Sequence, residues 1–136
     1  MPIQIMIKVG KIELEGELFD TETAKDIAKI LPIEKELNFW GDEFYFEIDI
    51  SKGLDKTATA NVKIGDIGYW PPGKALAIFF GPTPMSSGPD PVPASEVNLV
   101  GKIIGDATKL RTIKKEGRIC ISRLNTAVSE NTDLRP

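Results

Sequence analysis

Apolar and polar residues alternate along the start of the chain. The alternation runs from Ile3 to Val9, pauses at Gly10-Lys11, and resumes from Ile12 to Leu18. A period of two is typical of strands with one buried face. The sequence therefore predicts a β-hairpin at the start of the fold.

The period then changes to that of a helix. Ala24, Ile27, Ala28 and Leu31 fall at i, i+3, i+4 and i+7, a spacing that places them on one helix face. Polar residues suited to an N-cap precede the pattern, and Pro32 stops it. We predict one short amphipathic helix over about residues 21–31.

The rest of the chain predicts further strands. In EFYFEIDI (43–50), Phe44 and Phe46 lie on one face and Tyr45 on the other. Shorter apolar runs predict additional strands at 57–64, 67–70, 75–80 and 97–104, and a hairpin formed by 112–115 and 118–124. The run at 75–80 is apolar on both faces, so it faces either core on both sides or core on one side and a pocket on the other.

A proline-rich segment interrupts these strands. Residues 81–93 read GPTPMSSGPDPVP, and because proline cannot donate to a sheet ladder, we predict a long surface loop there. Eight or nine short strands with one early helix favour a mainly β fold, a closed eight-stranded antiparallel barrel rather than a sandwich. Residues 1–124 form one predicted domain, and 125–136 a polar tail.

Composition is ordinary for a globular domain. The 136 residues are 41% hydrophobic and 27% charged, with a net charge of −3. No apolar run reaches the roughly 20 residues needed to cross a bilayer. The N-terminal segment lacks signal-peptide features, so a cytoplasmic location is expected. Many Glu and Lys residues with little Gln and Cys are typical of thermophilic proteins.

The chain contains no histidine and one cysteine, Cys120. These counts exclude Ser-His-Asp and Cys-His catalysis, histidine-ligated zinc and an intrachain disulfide. Cys120 lies in an alternating segment, where it is either a small buried hydrophobe or a reactive thiol, and we favour the former. No metal, no cofactor and no catalytic residue is predicted.

Several motifs resemble those of the cyclophilin-like family of small archaeal and bacterial proteins. They are LNFWGDEFYF (37–46), GDIGYWPPG (65–73) and FFGPTP (79–84), within a match from about Ile3 to Leu124. The resemblance implies the eight-stranded barrel of cyclophilin-type peptidyl-prolyl isomerases. Those enzymes stabilise a twisted amide, whose lost resonance sets a barrier of about 18–20 kcal/mol.

The resemblance also implies where activity would reside. A cyclophilin uses a Gln-Phe-Phe element as an apolar floor, and here Phe79 and Phe80 stand at the aromatic positions with Ile78 in place of the amide. The cyclophilin arginine comes early, on the strand after the first helix, whereas the first arginine of this chain is Arg111. Isomerase activity of ordinary strength is therefore not expected.

Candidate binding residues are aromatic. Tyr45, Trp70, Phe79, Phe80 and Trp40 either line a ligand groove or belong to the core. The carboxylate pairs Asp42-Glu43 and Glu47 with Asp49 either act as acid and base, or hold a cation, or lie on a solvated face, which we favour.

Two hypotheses follow. The first is a non-catalytic or weakly active protein that binds a peptide or small apolar ligand in an aromatic groove. The second is a divergent peptidyl-prolyl isomerase that lacks the usual arginine. The basic segment 109–123 has no interleaved aromatic residue and the protein is acidic overall, so a nucleic acid is not an expected partner. With no apolar run of spanning length, a membrane is not expected either. The oligomeric state is left open.

Overall fold

The computed structural model describes residues 2–113 and 117–124. These residues form ten strands, one α-helix and two 3₁₀ helices. The strands are β1 (Ile3–Val9), β2 (Ile12–Leu18), β3 (Ile33–Glu36), β4 (Asn38–Phe39), β5 (Glu43–Glu47), β6 (Ala58–Thr59), β7 (Asp66–Trp70), β8 (Ala75–Phe79), β9 (Val97–Ile104) and β10 (Arg118–Arg123). Helix α1 is Glu22–Lys29, and the 3₁₀ helices are Pro71–Gly73 and Ala107–Thr112.

All ten strands belong to one antiparallel sheet. Its order is β3-β10-β1-β2-β9-β7-β8-β5-β4, with β6 paired to β9 beside this path. The hairpin predicted at the start is confirmed, because β1 and β2 pair from Ile3 opposite Leu18 to Val9 opposite Ile12. The predicted strand at 97–104 is confirmed with the same ends.

The predicted closed, eight-stranded barrel is not confirmed. The sheet has ten strands and is open, because no ladder among the described residues joins its end strands β3 and β4. These end strands are short, and neither was predicted, because Ile33 is the one apolar residue of β3 and β4 has two residues. Alternation is too brief there to mark a strand.

The predicted helix is confirmed with slightly narrower ends. Thr21 caps it, since its Oγ1 accepts a hydrogen bond from the backbone N–H of Ala24 at 3.2 Å. Its buried face includes Ala24, Ile27 and Ala28. Arg123 of β10 donates from Nη2 to the carbonyl oxygen of Ala28 at 3.1 Å, which ties the end of the helix to the sheet. No helix among the described residues has the length and apolar character to span a membrane.

The sheet buries side chains on both faces of β8. Leu76, Ile78 and Phe80 belong to the main core, together with Phe44 and Phe46 of β5. Ala77 and Phe79 point to the other face, where they pack with Val62 and Val97 in a second, smaller cluster. Every residue of β8 is buried, as its doubly apolar sequence indicated.

Two other predictions change. The strand predicted at 57–64 shortens to the two residues of β6, Ala58 and Thr59, which pair with Asn98 and Val97 of β9. The predicted strand at 118–124 is present as β10, which pairs with β1 and β3, whereas Thr112, predicted to begin the other hairpin strand, ends the 3₁₀ helix Ala107–Thr112. Residues 114–116, which include Glu116 of the predicted turn, lie outside the described residues.

Candidate functional site

A pocket opens on the face of the sheet opposite the main core. Its cavity volume is about 190 Å³. We call it the aromatic pocket, and its lining residues are Trp40, Glu43, Tyr45, Trp70, Ala77, Phe79, Pro93, Ala94 and Val97. They come from β5, β7, β8, the start of β9 and the segments before β5 and β9.

The floor of the pocket follows from the pairing of β5 with β8. Glu43 lies opposite Phe79, and Tyr45 lies opposite Ala77. Paired residues share a sheet face, and residues two apart along a strand do too. These four side chains therefore form one group, on the face opposite the core residues Phe44 and Phe46.

The turn between β4 and β5 places Trp40. Its backbone N–H donates to the carbonyl oxygen of Glu43 at 3.0 Å. Gly41 has φ +61°, and a Cβ there would lie 2.8 Å from the Cα of Thr83. This turn therefore needs a glycine, which lets the proline-rich loop pack directly against the backbone beside Trp40.

The other tryptophan, Trp70, ends β7. Its indole Nε1–H donates to the hydroxyl of Ser95 at 2.7 Å. A Cβ at Gly73 would lie 2.8 Å from the ring carbons Cε3 and Cζ3 of Trp70, so the glycine lets the ring pack closely on the backbone. Because the single indole donor is occupied, the ring itself is what Trp70 offers to a ligand.

The proline-rich loop carries its own hydrogen bonds. The Thr83 backbone N–H donates to the hydroxyl of Ser86 at 2.9 Å, and this hydroxyl donates to the carbonyl oxygen of Asp90 at 2.7 Å. The hydroxyl of Thr83, a buried residue, donates to the carbonyl oxygen of Val92. These bonds bring the end of the loop back to the pocket, where Pro93 forms part of the wall.

Glu43 is a functional candidate that the sequence analysis considered but did not favour. We expected a solvated carboxylate, but the residue is only 7% exposed, and its Oε1 atom has no hydrogen-bond partner among the described residues. Burial raises the pKa of this carboxyl to about 8. The available signal was its position two residues before Tyr45, on the same strand face.

The pocket brings together Trp40, Tyr45, Trp70 and Phe79, four of the five residues predicted to line a groove. The fifth, Phe80, lies in the main core, and its ring centroid is 4.6 Å from that of Phe44. The two adjacent phenylalanines therefore face opposite sides of the sheet, because neighbouring residues of a strand alternate.

Arg111 contacts the backbone of Phe80 and the side chain of Asp42, and it is not among the residues that line the pocket. Its Nε donates to the Phe80 carbonyl oxygen at 3.2 Å and lies 3.3 Å from Oδ2 of Asp42. This pairing accounts for the carboxylate of Asp42. No arginine or lysine occurs among the residues that line the pocket.

The remaining carboxylates differ from Glu43. Glu47 and Asp49 are exposed, beside a shallow groove that also includes Lys35 and Lys74. In the part of the chain that the structure describes, no group of three or more His, Cys, Asp or Glu residues is arranged to hold a metal ion. Cys120 is partly buried on β10.

Comparisons with known proteins place the chain in a family. The cyclophilin-like family model matches residues 3–122. The chain is similar to the solution structure of a hypothetical protein from Archaeoglobus fulgidus, with 34% sequence identity and a TM-score of 0.74 over 90% of this chain and 95% of that one. No curated protein matches it. The resemblance noted in the sequence is confirmed: the chain belongs to the cyclophilin-like family.

Proposed function

We propose that the protein binds a small ligand, or one side chain of a peptide, in the aromatic pocket, and that it does so without catalysing a reaction. The observation that carries the proposal is the convergence of both tryptophans of the chain on one cavity, together with Tyr45 and Phe79. Amphipathic aromatic side chains around a small number of polar groups are what ligand sites typically present.

The size of the pocket limits the ligand. A cavity of about 190 Å³ is smaller than the roughly 300–1,000 Å³ of sites that enclose drug-sized molecules. It fits a compact head group or a single side chain, and the rest of the ligand would lie outside it. A proline side chain and a branched alkyl group both fall in this class.

Intrinsic fluorescence tests the proposal directly, since both tryptophans line the pocket. The probes are N-acetylprolinamide, 3,3-dimethylbutan-1-ol and choline. We expect at least one to change the fluorescence saturably, and Ala77→Leu, which fills the cavity from its floor, to abolish that change.

The control is Ala60→Leu, at an exposed alanine outside the pocket lining. If no probe gives a saturable change, or if Ala77→Leu binds as wild type does, the proposal is wrong. Trp40→Ala replaces Ala77→Leu should the latter not fold.

A protease-coupled prolyl isomerisation assay addresses the alternative, a divergent isomerase. The absence of an arginine or lysine from the pocket lining favours binding without catalysis, because cyclophilins, as the resemblance implies, use an arginine beside the rotating amide. We expect no acceleration by wild-type protein. Acceleration that disappears in Ala77→Leu would replace the binding proposal with the isomerase.

A further inference from the structure

The aromatic pocket contains a polar group that the protein leaves without a partner. Oε1 of Glu43 is buried and has no hydrogen-bond partner among residues 2–113 and 117–124. A buried carboxyl without a partner is costly, and a charged one more so. The side chain lines the pocket, so a bound ligand is positioned to supply the missing partner.

The charges around Glu43 favour a cationic partner. Tyr45 is the other titratable residue of the lining, while β7, β8 and the segment from Pro93 to Val97 contribute only uncharged residues to it. The neighbouring Asp42 is already paired with Arg111. An incoming cation would therefore meet one unpaired carboxyl and no competing positive charge in the lining.

The aromatic residues favour one kind of cation. Trp40, Tyr45 and Trp70 border the same cavity as the carboxyl. Tryptophan and tyrosine rings attract cations through their quadrupoles, most strongly when the cation is stripped of water, and aromatic cages of this kind recognise quaternary and methylated ammonium groups. A methylated ammonium also sheds its hydration more readily than a metal ion, which suits an apolar wall.

We propose that the aromatic pocket binds the alkylated ammonium head group of an organic cation, with Glu43 as its counter-ion and Trp40, Tyr45 and Trp70 as its aromatic cage. This inference rests on the proposed function, since it names the ligand chemistry of the same pocket. A neutral ligand that accepts a hydrogen bond from protonated Glu43 is the competing outcome.

The test compares choline with its neutral isostere 3,3-dimethylbutan-1-ol, which replaces the trimethylammonium nitrogen with carbon. Tryptophan fluorescence and NMR titration of the two indole N–H signals report binding, with sodium chloride matching the ionic strength. We expect choline to bind on the order of tenfold more tightly than the isostere. Glu43→Gln should remove that preference, so that choline binds no more tightly than the isostere does to the same variant. Glu47→Gln, on the same strand but exposed, should keep it.

The pH dependence supplies a second readout. Because a bound cation stabilises the ionised carboxyl, its binding to wild type should tighten on the order of tenfold between about pH 6 and 9. Binding of a neutral ligand that accepts a hydrogen bond from protonated Glu43 would weaken over the same pH range, because the carboxyl loses that proton. Binding of choline to Glu43→Gln should not follow pH.

The outcomes separate this inference from the function on which it rests. If the isostere binds as tightly as choline, or if Glu43→Gln keeps the preference, the cation inference is wrong while ligand binding stands. If neither compound binds and N-acetylprolinamide does not bind either, both are wrong.

Discussion

Among single residues, Glu43 is notable because its carboxyl group is buried and its pKa is raised. Its ordinary pKa near 4.5 rises to about 8 because the fold removes it from water. Between pH 4.5 and about pH 8, the Glu43 carboxyl is therefore protonated in the folded protein and ionised in the unfolded chain. Stability should fall as the pH rises through this interval, and the whole loss is present above pH 8.

Glu43→Gln should consequently stabilise the protein more at high pH than at low pH. The shift from 4.5 to about 8 corresponds to a differential of up to about 5 kcal/mol in the free energy of unfolding. Urea denaturation of wild type and variant at about pH 5 and about pH 9 measures it. Glu47→Gln is the matched control, and an equal gain for both variants would contradict the assignment.

Tyr69 is a second residue with a distinctive polar atom, since its hydroxyl hydrogen-bonds to two backbone groups. The ring is fully buried, and its hydroxyl donates to the carbonyl oxygen of Ile50 at 2.6 Å and accepts from the backbone N–H of Lys52 at 3.2 Å. Tyr69→Phe keeps the packing but leaves both backbone groups unpaired. We expect a loss of about 1–3 kcal/mol in the free energy of unfolding. Tyr45→Phe, at a half-buried tyrosine, should cost less than about 0.5 kcal/mol.

Strand β9 joins the two halves of the sheet, since it pairs with β2 on one side and β7 on the other. Gly101 lies where both neighbours approach, opposite Leu18 of β2 and Ile67 of β7. A Cβ at this position would collide with the carbonyl oxygen of Glu17. The collision is with backbone, so a rotamer change cannot relieve it.

Gly101→Ala should therefore destabilise the protein by about 3 kcal/mol or more, because one of two paired strands must move. Gly88→Ala is the matched control, since a Cβ there has nothing within 4 Å. Thermal and urea denaturation of both variants measure the difference. Equal stability of the two variants would show that the sheet accommodates the extra atom.

The open path of the sheet predicts a gradient of local stability across the whole molecule. The order runs from β3 to β4, and each of these end strands has one paired neighbour. Four-residue β3 and two-residue β4 also contribute little to the buried core. Local opening should start where backbone hydrogen bonds are few and burial is shallow.

Amide hydrogen exchange should accordingly be slowest in β1, β2, β8 and β9 and faster in β3 and β4. NMR-detected exchange at neutral pH measures the gradient strand by strand. Equal protection in β3, β4 and β9 would mean that the ends of the sheet are held together more firmly than their pairing indicates.

The aromatic pocket is also a property of the whole molecule. Trp40 precedes β5 and Trp70 ends β7, so β5 and β6 lie between them in the chain. The loop before β9 completes the wall of the pocket. The order of the strands in the sheet, with β5 beside β8 and β7 beside both β8 and β9, is what brings these segments to one face.

The sequence by itself determined the local features. Alternation located β1, β2 and the core face of β5, helical spacing located α1, and three motifs identified the family. Strand alternation also indicates that the adjacent residues Phe79 and Phe80 face opposite sides of the sheet, although we had predicted that both line the groove. These features depend on residues that are close in the chain, so local periodicity is enough to reveal them.

Only the tertiary structure decided how the sheet ends, which aromatic residues meet, and that Glu43 is buried. A glutamate on a strand is usually solvated, and the position of Glu43 two residues before Tyr45 indicates which strand face it shares but not that this face is covered. Phe79 lies opposite Glu43 through the pairing of β5 with β8, and Trp40 and Pro93 line the same pocket from segments outside both strands. Non-local contacts of this kind leave no periodic signal, because they depend on the order of strands in space rather than on the spacing of residues in the chain.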